Sequence, residues 1–155
     1  MMTALLILHG LIAVALLGAV THQAFAVSLR RTEARTRSFV ARFRATDAGA
    51  YATTVVVLYV AVMAVGAILY PRYRFVVRPL LQTMDLRSAN GAFELKEHLS
   101  AIGLMLLPAY WASWKQPLAA EYGSARLWLT WMIALAVWWN FLAGQLLVAI
   151  KGLFP

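Results

Sequence analysis

Three histidines are the residues in this chain best suited to hold a metal or a cofactor, because the sequence contains no cysteine. His9 lies early in the first apolar segment, and His98 lies early in the third. Imidazoles from two neighbouring membrane helices can hold the iron of a b-type haem from its two faces. Both histidines are expected in the same half of the membrane, so we predict that His9 and His98 share a haem b.

Charged residues close to these histidines would complete such a site. Three arginines precede the third apolar segment and are expected at the same membrane surface, where they could meet the haem propionates: Arg72, Arg74 and Arg78. Glu94 and Glu97 lie four residues and one residue before His98, and they are candidates for carrying protons or for hydrogen-bonding a ligand.

Other polar residues within the apolar segments favour packing or a quinone contact. His22 has no second histidine at its own depth, so a structural or quinone-contacting function is predicted for it. Trp138 and Asn140 fall near mid-membrane, where a ring and an amide need a partner surface and a hydrogen bond. A purely structural interpretation also applies to His9 and His98, since histidines near a membrane surface are often hydrogen-bonded packing residues.

Alternative metal sites match the sequence less well. A carboxylate-bridged di-iron bundle needs Glu-x-x-His on two helices, whereas Glu94 and His98 are four residues apart and occur once. A copper site could use His98 with Met63 and Met105, but methionine is also a common core filler. No nucleophile and base pair indicates hydrolysis.

The composition specifies the kind of structure that must position these groups. Of 155 residues, 63% are hydrophobic and 13% are charged, whereas soluble domains have about half and about a quarter, respectively. The length fits one domain, residues 1–155. The composition predicts an integral membrane protein with the lipid bilayer as its surroundings, and it argues against nucleic-acid binding, since the net charge of +8 is spread over both membrane sides.

Four segments are long and apolar enough to cross a bilayer core, which takes about 20 helical residues. Because unpaired backbone groups are costly in lipid, each must be helical, and we predict an all-α bundle of four transmembrane helices. The predicted spans are approximately residues 4–29, 51–70, 93–114 and 127–150. The first is predicted to be a retained helix rather than a signal peptide, because it lacks a basic start and is too long.

Each predicted span has a face of small and polar residues, which normally points toward other helices. On the third span this face would bring Glu94 and His98 inward. The members of the three clearest faces are Glu94, His98, Ala101, Met105, Pro108, Ala109 and Ala112; Tyr59, Met63, Gly66 and Tyr70; and Ala136, Asn140, Ala143 and Gly144.

Arginines between the first two spans predict the orientation. The positive-inside rule places this segment in the cytoplasm and both termini outside. The basic residues concerned are Arg30, Arg31, Arg35, Arg37, Arg42 and Arg44. The Arg-, Ala- and Leu-rich composition indicates a bacterial protein, hence the cytoplasmic (inner) membrane.

The two longer connections are each expected to contain a short helix lying on the membrane surface. One lies in residues 30–47, where apolar residues alternate with arginines, and the other lies in residues 71–91, which contain Pro71 and Pro79. Ser88, Asn90 and Gly91 predict a turn and a cap before the third span.

The layout resembles small four-helix haem membrane proteins of the copper-resistance D domain and bacterial membrane protoporphyrinogen oxidase type. The resemblance rests on "LHGLIAVALLG", the basic first loop, "FELKEHLSAIGLMLL" and the closing "VAIKGLFP". It implies that His9 is a haem ligand and that Lys96, at the head of the third helix, helps to define the site. The family's tryptophan-rich first-helix motif and its histidine motif late in the third helix are missing.

Two functions therefore follow from the sequence. One is a b-type haem redox component that passes electrons between a quinone pool and a partner in a respiratory or haem-related system. The other is a non-catalytic accessory subunit, whose inner faces pack helices and whose tryptophan-rich fourth helix docks on a larger membrane complex or on another copy of the chain. No complete catalytic set identifies an enzyme.

Overall fold

The computed structural model describes residues 2–28, 48–115 and 120–152, and it is helical nearly throughout that part of the chain. Helix α1 spans Met2–Ser28, α2 Tyr51–Arg72, α3 Arg78–Thr83, α4 Arg87–Lys115 and α5 Gly123–Gly152. A π-helical turn, Tyr73–Val77, joins α2 to α3, and a 3₁₀ turn, Ala120–Tyr122, precedes α5. The described residues contain no strand.

The four long helices form a ring in which successive helices run antiparallel. Helix α1 packs on α2 and α5, and α4 packs on the same two helices from the other side, so that α1 and α4 are diagonal. The antiparallel directions of the helices follow from two contacts, in which the end of one helix meets the start of the next. His22 of α1 lies beside Tyr51 of α2, and Trp114 of α4 lies beside Thr130 of α5. We call the end where residues 73–86 connect α2 to α4 the hairpin end, and the opposite end the loop end.

The core lies where the four helices converge, from mid-length toward the loop end. Small and branched side chains dominate it, as close helix packing requires. Its buried members are Leu16, Val20, Ala24, Ala52, Val55, Tyr59, Leu107, Tyr110, Ile133, Ala134 and Val137. Most other large apolar side chains, including Leu11, Val57 and Val148, face outward.

Three helical stretches in the described residues are long and apolar enough to cross a membrane: Met2–Ser28, Tyr51–Thr83 and Gly123–Ala149. The predicted third span, residues 93–114, falls within α4, which does not reach the same apolarity. The chain is thus a helical protein whose apolar helices are suited to a lipid bilayer.

The turn before α4 differs from the sequence prediction. Ser88, Asn90 and Gly91 are already helical, so the predicted cap at these residues is wrong. The reversal occurs at Asp85, whose φ of 53° is left-handed. The Leu86 N–H donates to the Leu81 carbonyl at 2.9 Å and the Asp85 N–H donates to the Gln82 carbonyl at 3.1 Å, which is the hydrogen-bond pattern of a Schellman motif.

The short helix expected in residues 71–91 corresponds to α3. It does not follow a break, because α2 runs through Pro71 into the π-helical turn. The other expected short helix, in residues 30–47, lies outside the described residues, as do Arg30, Arg31, Arg35, Arg37, Arg42 and Arg44.

Candidate functional site

His9 lies inside the ring, against α2. Gly66 makes this contact close, since a Cβ on Gly66 would lie 3.3 Å from Cε1 of His9. The Nδ1 atom of His9 is buried and makes no hydrogen bond of good geometry within the described residues. The backbone carbonyl of Val62 is close enough to influence the imidazole electrostatically. The positive charge of Lys96, on α4, acts on the same imidazole across the ring. The structure therefore places His9 and Lys96 in the same part of the ring.

His98 lies elsewhere. It is exposed, and its Nδ1 is 2.7 Å from the Glu94 carbonyl oxygen of its own helix. Since α4 is diagonal to α1, an outward His98 does not face His9 across the ring. The two histidines as they stand do not fit a pair of axial ligands to one haem iron.

The predicted inner face of α4 is wrong. Its members Glu94, His98, Ala101, Pro108, Ala109 and Ala112 are exposed, and Met105 is 81% exposed. The buried face carries Ala89, Ser100, Gly103, Leu107, Tyr110 and Ser113 instead. Small residues mark a surface for close helix contact, and on α4 they lie on both faces.

The predicted inner faces of α2 and α5 are confirmed. Tyr59 is buried, and Met63, Gly66 and Tyr70 are half-buried. Ala136 and Ala143 are buried on α5.

The predicted propionate arginines lie at the hairpin end, but they differ in their contacts. Arg72 is exposed, and Arg74 donates to the Tyr70 hydroxyl at 3.3 Å. Arg78 forms an ion pair with Glu94 at 3.0 Å. The Glu94 carboxylate is thus engaged by Arg78. Glu97, on the same helix, is half-buried.

Aromatic rings hold the hairpin end together. Tyr73 stacks on Phe93 with ring centroids 3.3 Å apart, and its hydroxyl donates to Asn90 Oδ1 at 3.1 Å. Lys96 lies 5.2 Å from the centroid of the Phe93 ring, as in a cation–π contact. These contacts tie the start of α4 to the end of α2.

The side chains predicted to contact a quinone make contacts with other residues of this chain. His22 packs against Tyr51 with ring centroids 5.1 Å apart. Trp138 donates its indole N–H to the Thr21 hydroxyl at 3.0 Å. Asn140 donates to the Ala136 carbonyl at 2.7 Å and its Oδ1 lies 2.6 Å from the Ser100 hydroxyl.

Two sets of buried hydrogen bonds, which the sequence did not predict, join helices inside the ring. Near the loop end, Gln23 accepts a hydrogen bond from the Tyr110 hydroxyl and donates to the Ala48 carbonyl at 2.9 Å. Closer to mid-length, Tyr59 donates to the Ser100 carbonyl at 3.0 Å. The amide of Gln23 within a mostly apolar helix was the signal that could have indicated the first set.

A second polar group lies toward the loop end. Trp114 donates to the Thr130 hydroxyl at 3.1 Å, and the buried Arg126 donates from Nε to the Ser113 carbonyl at 2.9 Å. These bonds hold α4 against α5.

No cluster of three or more His, Asp or Glu side chains able to hold a metal ion occurs among the described residues. The interior hydrogen bonds described above join helices to one another. No family model matches this chain, and no curated protein or solved structure is similar enough to be called a match.

Proposed function

We propose that this chain is a non-catalytic structural subunit of a membrane assembly, built as a bundle of four transmembrane helices. Its interior serves to fix the helices relative to one another, and its apolar exterior serves contact with lipid and with other membrane helices. The membrane is the bacterial cytoplasmic membrane, with both chain termini on the outer side.

The polar interior is the observation that carries this proposal. Gln23 with Tyr110 joins α1 to α4, and Ser100 with Asn140 joins α4 to α5. An unsatisfied polar group is costly in lipid, so each pair specifies one arrangement of its helices. Enzymes need polar groups that are free to meet a substrate, whereas these groups are already bonded to one another.

Four spans, rather than three, are supported by the position of α4. Its polar residues Ser100 and Ser113 are buried against the other helices, and its exposed middle carries apolar side chains such as Leu104 and Met105. Neighbouring helices thus cover the polar positions of α4 from Ser100 to Ser113, whereas Glu94 and His98 are exposed nearer the hairpin end, where we expect the polar head-group layer. The arginine-rich segment between α1 and α2 favours a cytoplasmic loop end.

Haem binding is the second candidate function, and the location of His9 and Lys96 in the same part of the ring favours it. These are the two residues that the family resemblance implied, and the charge of Lys96 acts on the His9 imidazole. Against it, His98 is exposed and bonded to its own helix.

A dithionite-reduced minus oxidised absorption spectrum separates the two functions. The protein is expressed with ample haem and purified in detergent, with His9→Ala and, as the matched exposed control, His98→Ala. We expect a flat spectrum for all three proteins. A b-type α band that is lost in His9→Ala and kept in His98→Ala would overturn the structural function in favour of a haem on His9.

A further inference from the structure

A groove runs along the outside of the ring between α2 and α4, at mid-length. It has a volume of about 460 Å³ and an apolar lining: Val56, Val60, Leu104, Leu107, Pro108 and Trp111. Ala101 and Ala112, which are also exposed, lie beside this surface on α4. Small residues next to a groove let another helix approach closely.

The groove contains a backbone acceptor without its usual donor. Pro108 lies inside α4 and has no N–H, so it cannot bond the carbonyl of Leu104 one turn earlier. Both residues are exposed on the groove side. In the apolar middle of a membrane, a freed carbonyl is normally satisfied by a neighbouring helix.

A hydrogen-bond donor that could match this acceptor lies on α5. Within the described residues, the indole N–H groups of Trp111, Trp114, Trp131 and Trp138 all donate to hydroxyl oxygens. Trp139, which is 39% exposed near the middle of α5, donates to no described residue. Trp128 is the other tryptophan without such a bond, but it lies near the helix start, where water is available.

The exposed face around Trp139 is a ridge of large apolar side chains. We call the following residues the α5 ridge: Trp128, Met132, Leu135, Trp139, Leu142 and Leu146. The ridge and the groove are both apolar, so the side chains of the α5 ridge can pack into the recess between α2 and α4.

The donor and the acceptor also lie at similar depth. The contact between Ser100 and Asn140 puts these residues at one level of the ring, and Leu104 and Trp139 lie on the loop-end side of that level. Side chains on a helix lean toward its start, so the Trp139 indole leans toward the depth of Leu104. Copies inserted with the same topology share their depths, so the two groups can meet within about one helical turn of ~5 Å.

We propose that a second copy of this chain docks its α5 ridge into the groove between α2 and α4, with the Trp139 indole donating to the Leu104 carbonyl. The contact joins two different faces of the chain, so it is head-to-tail and propagates into a ring or a row of copies. This inference rests on the proposed structural function and names its partner.

Cysteine cross-linking tests the contact, because the natural sequence has no cysteine. Met105→Cys, exposed on α4 next to Leu104 in the sequence, and Leu135→Cys, on the α5 ridge at the same depth, are co-expressed with different tags and oxidised in membranes. We expect a disulfide-linked dimer that carries both tags. Val14→Cys, on the exposed face of α1, replaces Leu135→Cys in the control pair and should give no such dimer.

Other occupants of the groove predict other results. A lipid or an unrelated protein in the groove would leave the mixed pair unlinked, and a symmetric contact through α4 would link Met105→Cys to itself. Either result overturns the proposal. Neither result depends on the haem spectrum, so a failure of this inference is distinguishable from a failure of the proposed function.

The hydrogen bond itself is tested with two further variants in the mixed pair. Trp139→Phe removes the donor, and Pro108→Ala gives Leu104 a donor within its own helix. Each should lower the yield of the mixed dimer about three- to tenfold, as expected for one hydrogen bond between membrane helices, and together they should lower it no further. Trp128→Phe and Pro71→Ala are the matched controls, and equal losses in these would overturn the assignment of the bond.

Discussion

Tyr59 and Gly103 show how closely single residues determine the packing in this chain. The Tyr59 ring crosses from α2 to α4 above Gly103, and its hydroxyl donates to the Ser100 carbonyl. A Cβ on Gly103 would lie 2.8 Å from Cζ of Tyr59 and closer still to the hydroxyl oxygen. Only a glycine leaves room for this ring.

Gly103→Ala should therefore destabilise the protein by about 1–3 kcal/mol, as expected for overpacking a filled interior. Thermal unfolding in detergent measures the loss. In the Tyr59→Phe background the same change should cost less, because the closest atom is gone. Gly91→Ala, in the same helix with no atom within 4 Å of the added Cβ, is the control. An equal loss in Gly91→Ala would contradict the assignment to Tyr59.

The sequence pattern identified some of the residues that pack between helices, but not others. Tyr59 and Gly66 were predicted on the inner face of α2, because a line of small and polar residues at helical spacing is visible in the sequence. Gln23 was missed, since its partners, Tyr110 and the Ala48 carbonyl, are remote in the chain. Such pairings are visible only after the helices are packed.

At the scale of the helix, the connection between α2 and α4 is helical for most of its length. Helical structure continues through Pro71 and the π-helical turn to Thr83, and the chain then reverses within three residues. Asp85 adopts the left-handed conformation that this reversal needs. Aspartate tolerates that conformation better than most residues do, although glycine suits it best.

Asp85→Val should cost about 1–2 kcal/mol of stability, because a branched side chain is strained at a positive φ. Asp85→Gly should be close to neutral, since the ion pair with Arg87 that it removes is largely exposed, with 90% of the Arg87 side chain and 78% of the Asp85 side chain accessible. Chemical denaturation in detergent micelles compares the two variants. Arg87→Ala isolates the ion pair, and a large loss there would mean that the charge, not the backbone, holds the turn.

Helix prediction succeeded where apolar runs are long and failed where the signal lies at an end or on a face. All four long helices contain their predicted spans almost entirely, because length and apolarity identify them. The start of α4 was predicted near Gly91, since Ser88, Asn90 and Gly91 are also residue types that are common in turns and caps. The face of α4 was inverted because a membrane helix can use small residues both for its own core and for an outside partner, and the sequence does not separate these two uses.

For the molecule as a whole, the proposed membrane bundle would place the two ends of the antiparallel ring on opposite sides of the membrane. Ser88 lies at the hairpin end and Ala50 lies at the loop end, and both are exposed. The proposed orientation places the hairpin end outside.

Single cysteines at these two positions test that orientation against a background without cysteine. A membrane-impermeant maleimide applied to spheroplasts should label Ser88→Cys directly, and it should label Ala50→Cys only after permeabilisation. The reverse pattern would place the arginine-rich segment outside, contrary to the positive-inside rule.

The tight turn at Asp85 also bears on how the protein enters its membrane. Helix α2 is strongly apolar, whereas α4 is not among the helices apolar enough to cross on that ground. In the proposed bundle only residues 73–86 separate α2 from α4, so these two helices would enter the membrane as one helical hairpin. Insertion of α4 would then depend on α2 remaining beside it during synthesis.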